Sequence, residues 1–161
     1  MHAIARKTFT VAAAAAFVGL IAIGSSKAQD VHQAAEATYK DIEATLGLVP
    51  GFFKAFPEAG IPGAWAEFKE VQGSDKTALP PKVKQLIGLA VSAQVPCAYC
   101  IYFHTAVAKA YGASDEEIKE AVALAAISRH WSTVLNGMQV DLPTFKTEID
   151  TSLAMAAKKS N

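Results

Sequence analysis

The segment PCAYCIYFH, Pro96 to His104, holds both cysteines of the 161-residue chain and one of its four histidines. Three chemistries use such a set. Two thiols three residues apart form a redox-active disulfide when one is held as a thiolate. The same bond serves as a permanent staple in an oxidising compartment. With a fourth ligand from His32, His130 or an acid, the three side chains would instead close a zinc site. A helix that starts at Pro96 places Cys97, Cys100 and His104 within roughly 60° of one another, at about 100° per residue. Cys97 then occupies the first turn, where unpaired amides and the positive end of the helix dipole favour a thiolate. His104 lies directly below Cys100 and can accept its proton or stabilise its charge.

The elements that must position these residues read as helices almost throughout, with no alternating strand and no hairpin signal. Residues 31–46 carry Ala35, Tyr39, Ile42 and Leu46 at three- and four-residue spacing, and Gly47 ends that helix. Pro50, Pro57 and Pro62 divide the next stretch into a short helix and a longer one from about Gly63 to Gln72. After the loop GSDKTALPP, Pro80 and Pro81 open a strongly apolar helix that stops before Pro96. The cysteine helix ends at Gly112, a residue suited to a left-handed cap. Ser114 and Glu117 then form a capping box for a long helix from Asp115 to Asn136, closed by Gly137. Asp141 and Pro143 start the last helix. The expected architecture is all-α, with the apolar helices before and after the cysteine helix flanking it.

The N-terminus predicts export. Residues 1–28 run from Arg6 and Lys7 through the apolar stretch Phe9–Ile23 to Ser26 and Ala28, the order of a secretory signal peptide cleaved before Gln29. That apolar stretch is shorter than the ~20 residues that span a bilayer, so no stable membrane anchor is expected. Removing residues 1–28 takes away Arg6, Lys7 and Lys27 and no acid, so the 15 acidic residues are left in excess. A mildly acidic product has no electrostatic footprint for nucleic acid. Residues 29–161 suit a single domain with one core, which needs no staple for stability, and this weakens the purely structural reading of the cysteines.

The run LPPKVKQLIGLAVSAQVPCAYCIYFHTAVAKAYGASDEEIKEAVALAA resembles the AhpD-like alkylhydroperoxidase branch of the carboxymuconolactone decarboxylase family, over roughly residues 60–137. The Cys-x-x-Cys-x-x-x-His motif of Cys97, Cys100 and His104 is the signature of the thiol-active branch. The resemblance implies an AhpD-like helical fold that forms trimers or hexamers and reduces peroxides without a cofactor or metal. In that scheme Cys100 is oxidised first, Cys97 closes the disulfide and His104 belongs to a proton relay. One position departs from the family pattern: Gln85 stands where a relay glutamate is usual. An amide orients a partner by hydrogen bonds but takes up no proton at neutral pH. Gln85 therefore reads equally as a relay remnant or as a satisfied core polar group.

Arg129, His130 and Trp131, within SRHWS, are further candidates for the mouth of the cysteine pocket, with His130 a second proton carrier. Tyr99 and Tyr102 flank the cysteines and would shape access. The expectation is an exported, periplasmic or secreted thiol-dependent peroxidase or disulfide oxidoreductase, acting on a peroxide substrate and recharged by a dithiol reductant. Two alternatives stand beside it. One is a non-enzymatic oligomeric helical protein with a structural disulfide; the other is a lactone decarboxylase-like enzyme, which has no need of the cysteine pair.

Overall fold

Helical periodicity without strand signals produces an all-helical chain. The computed structural model describes residues 11–159, with side chains from Lys27 onward; residues 1–10 of the expected signal peptide lie outside the described residues. Seven α-helices and no strand occur among the described residues: α1 (Val11–Leu46), α2 (Gly51–Lys54), α3 (Ile61–Glu67), α4 (Pro81–Gln94), α5 (Ala98–Ala110), α6 (Asp115–Gly137) and α7 (Leu142–Lys159). Among the described residues no helix is long and apolar enough to cross a membrane. The helices group into two compact units that divide between Ser74 and Asp75.

The first unit is built around α1. This helix begins well before residue 31, because the alanine-rich segment that precedes it has high helical propensity and contains no proline. It stops at Leu46, so Gly47 ends it as expected, and with φ +82° forms a left-handed cap. Of the four residues expected on the buried stripe, Ala35 and Ile42 are fully buried and Tyr39 is half-buried, whereas Leu46 is exposed. Ile42 packs with Phe53 from α2 and with Ile61 and Trp65 from α3. The Trp65 ring lies edge-on to Phe53, with centroids 5.5 Å apart, and stacks on Phe68 at 5.6 Å. Its indole N–H donates to Asp41 Oδ2 at 2.6 Å, and Lys69 Nζ approaches the same carboxylate at 2.9 Å. These donors, Trp65 foremost, hold the Asp41 carboxyl below the usual carboxylate range. The helix expected from Gly63 to Gln72 is instead α3 followed by a π-helical turn, Phe68–Gln72, closed by Gly73 N–H donating to Phe68 O at 2.9 Å.

The second unit centres on α4. Both α5 and α6 pack on α4, so the helix before the cysteines is the hub and the cysteine helix is not flanked as the sequence suggested. Leu89 supplies the buried apolar contact of α4, with Ala108 buried on α5 and Ala121 and Ala125 on α6. Small residues at these three positions allow close approach of the helices. Polar contacts fix the register. Lys82 pairs with Glu117 at 2.7 Å, and Gln94 donates to the Ala125 carbonyl while accepting from Arg129 Nε at 2.7 Å.

Gly112 caps α5 with φ +80°. The capping box forms as read: Ser114 Oγ accepts from Glu117 N at 3.1 Å, and the Glu117 carboxylate accepts from Ser114 N at 2.8 Å. The far end of α6 differs from expectation. Gly137 is its last residue, Met138 is the cap, and the left-handed residue is Gln139 at φ +52°. Asp141 starts α7 by accepting from both the amide and the hydroxyl of Thr144 at 2.9 and 2.8 Å.

Candidate functional site

The cysteine segment follows directly from how α4 stops. The last regular bond of α4 is Val95 N–H to Val91 O at 3.0 Å, and the next free carbonyl, that of Ser92, accepts from Cys97 N–H at 3.1 Å. Cys97 is therefore held in an extended conformation (φ −97°, ψ 100°) and serves as the N-cap of α5 rather than a first-turn residue. The helix starts at Ala98, two residues after Pro96. The sequence expectation of three side chains on one helical face thus holds for Cys100 and His104, while Cys97 reaches the site from the cap.

Cys97 Sγ accepts a hydrogen bond from Cys100 N–H at 3.2 Å. An amide directed at sulfur from a helix N-terminus stabilises negative charge there. Cys97 and Cys100 are joined in a disulfide, with Cα atoms 5.3 Å apart, within the ordinary range for such bridges. Both cysteines are partly exposed, and Tyr99 and Tyr102 beside them are 89% and 78% exposed. The disulfide is thus only half-covered at residue level, and neither tyrosine is packed down on the protein.

His104 lies one turn beyond Cys100 on α5, and its imidazole lies against Gly88 of α4. Its Nδ1 is 2.8 Å from Gln85 Oε1. An amide oxygen only accepts, so Nδ1 carries the proton and donates, and Nε2 is left as the ring's free base. The edge of Phe103 lies against the imidazole, with ring centroids 5.2 Å apart and planes at 79°. Burial pushes the His104 pKa below its ordinary value of 6.5, which keeps the ring neutral at physiological pH.

Gln85 is 1% exposed, so it is both a satisfied core polar group and the hydrogen-bond partner of His104. The two readings of this residue are compatible. His130 is placed differently. It stands on the exposed surface of α6, with its ring edge-on to Trp131 at a centroid distance of 5.4 Å. Arg129 is engaged with Gln94 in the α4–α6 contact. Among the described residues no group of three or more His, Cys, Asp and Glu side chains is arranged to hold a metal ion.

Two site residues were not singled out from sequence. Gly88 has its Cα against the His104 ring, and Ser92, which is buried, donates from Oγ to Gly88 O at 2.6 Å while its own carbonyl holds Cys97. Gln85, Gly88 and Ser92 follow one another at spacings of three and four residues, so α4 presents a narrow polar and small-residue stripe to α5. That stripe, interrupting an otherwise apolar helix, is the signal that would have found them.

Residues 60–141 match the model of the carboxymuconolactone decarboxylase family. In structure the chain is similar to the alkylhydroperoxidase AhpD core from Rhodospirillum rubrum, with 28% sequence identity and a TM-score of 0.61, over 72% of this chain and 88% of that one. No curated protein gives a significant sequence match. With more than half of its length matched, including the whole Cys97–His104 segment and the helix that supports it, this chain belongs to the carboxymuconolactone decarboxylase family.

Proposed function

We propose that the protein is a thiol-dependent peroxidase or disulfide oxidoreductase in which Cys97 and Cys100 alternate between dithiol and disulfide. The observation that carries this reading is the partly exposed disulfide at the start of α5, with an imidazole hydrogen-bonded to Gln85 one turn further on. The similarity to an alkylhydroperoxidase core supports peroxide as the oxidant.

In the reduced enzyme His104 Nε2 takes the proton of the Cys100 thiol. The thiolate attacks one peroxide oxygen, the O–O bond breaks, and the departing alkoxide takes the proton held by His104 to leave as an alcohol. Cys100 is now a sulfenic acid. Cys97 attacks its sulfur, the S–S bond forms, and the hydroxyl leaves as water. An external dithiol then reduces the disulfide by exchange. Gln85 fixes the ring but accepts no proton, so His104 is the proton acceptor this scheme uses.

Disulfide exchange without peroxide is the second reading, and the amide at Gln85 favours it: the missing carboxylate removes a proton acceptor from the oxidative half-reaction and leaves exchange intact. A lactone decarboxylase would have no use for the cysteine pair. Residues 1–28 are proposed to be a cleaved signal peptide, residues 29–161 the exported helical protein, and the working form a homotrimer or hexamer in the periplasm or outside the cell. Peroxide-dependent oxidation of dithiothreitol by the protein from Gln29 onward tests the assignment. Turnover that disappears in Cys100→Ser supports it; equal rates in the two proteins contradict it.

A further inference from the structure

Gly88 lies within α4, where alanine would be the better helix former and a glycine is unfavourable unless something needs the space. Something does. A Cβ placed on Gly88 would lie 2.5 Å from His104 Nδ1 and 2.6 Å from Nε2, and closer still to Cε1. The clash is with three atoms of one ring, and that ring is held on its other attachments by Gln85 at 2.8 Å and by the edge of Phe103. The backbone of α4 at this point is held as well, because the Gly88 carbonyl accepts from the buried Ser92 hydroxyl at 2.6 Å. Gly63 and Gly137, also within helices, differ, since a Cβ there would meet nothing within 4 Å; Gly60 approaches a ring as closely, that of Phe56, but in the first unit and not in the unit that carries the cysteine segment.

We propose that Gly88 is a positioning residue for His104: its missing Cβ opens the slot that seats the imidazole on α4, so that Gln85 takes Nδ1–H and Nε2 is the atom offered to the cysteine pair. The inference deepens the thiol-redox reading and rests on it for its functional consequence, whereas the geometry of the slot does not depend on that reading. Gln85, Gly88 and Ser92 act as one template. The first orients the ring, the second admits it, and the third ties the glycine carbonyl and, through its own carbonyl, the Cys97 amide. A side chain on Gly88 would push the ring away from α4, break the bond to Gln85 and free the imidazole to exchange tautomers.

The test combines a structural and a kinetic readout. In protein labelled with ¹⁵N-histidine, the His104 ring nitrogens give the pattern of the Nδ1-protonated neutral tautomer in the wild type; the Nε2-protonated pattern there overturns the proposal without any variant. Gly88→Ala changes that pattern and slows exchange of the Cys97–Cys100 disulfide with dithiothreitol at least tenfold, while Gly137→Ala does neither. In a His104→Ala background, Gly88→Ala has no further effect on the rate. A folded Gly88→Ala protein with the wild-type ring pattern and rate overturns the inference. Gln85→Leu, which keeps the slot and removes the acceptor, gives a mixture of tautomers; a pure Nδ1-protonated ring in that variant equally overturns it. A wild-type disulfide that fails to exchange sinks the proposed function instead, and the ring pattern still decides the role of Gly88.

Discussion

The carbonyl of Gln85 on α4 accepts a 2.8 Å hydrogen bond from Nδ1 of His104 on α5, so a neutral amide occupies the place where a carboxylate would bind an imidazolium. A carboxylate would favour the charged ring; the amide brings no charge to do so, and burial holds the pKa below its ordinary value.

Gln85→Glu restores that carboxylate. The His104 pKa is expected to rise, the acidic limb of the pH–rate profile to move to higher pH, and the rate of peroxide consumption to increase. Stopped-flow rates between pH 5 and 8 for the two proteins check this; superimposable profiles would remove His104 from the proton path.

The same shift predicts how stability follows pH. The folded-state pKa of His104 lies below its ordinary value of 6.5, so the unfolded chain binds the proton more readily. The contribution is complete above that ordinary value and is lost as pH falls through it toward the folded-state pKa. Urea midpoints of the wild type should therefore fall in this window, and those of His104→Asn should fall less. An equal slope in both proteins would assign the loss to other groups.

Much of this arrangement was legible in the chain. Helical spacing gave the all-α class, Gly47 and Gly112 marked their caps, and Ser114 with Glu117 marked the start of α6, because each depends on local chemistry within one turn. Features set by tertiary contact were not legible. Cys97 became the N-cap because the Ser92 carbonyl, five residues back, takes its amide. The turn after α6 placed Gln139 rather than Gly137 in the left-handed region, since the helix ran one residue further than its glycine suggested. Gly88 drew no notice within its apolar helix, and its close approach to His104 exists only because α5 lays that ring against it.

In the first unit, Trp65 ties the aromatic cluster to Asp41. Trp65→Ala should destabilise that unit by about 3–5 kcal/mol, the usual cost of deleting a buried large aromatic side chain. Trp65→Phe keeps most of the packing, loses the indole donor and should cost less. Denaturant titration followed by circular dichroism separates the two; equal losses would mean that the hydrogen bond, and not the ring volume, holds the cluster.

The two cysteines should fail differently. Cys100→Ser removes the attacking sulfur and abolishes peroxide consumption. Cys97→Ser leaves that sulfur in place without its partner, so one equivalent of peroxide is consumed and the protein stops as a sulfenic acid, detected by mass as one added oxygen or by trapping with dimedone. Stoichiometric oxidation in Cys100→Ser instead would exchange the two roles.

The proposed activity depends most on the Cys97–Cys100 bond being a working bond. Equilibration of the folded protein with glutathione or dithiothreitol buffers measures its reduction potential directly. A potential well above about −300 mV is the result expected of a catalytic pair, and one below that value, with sulfurs resistant to mild reductants, would identify a staple and contradict the proposed activity.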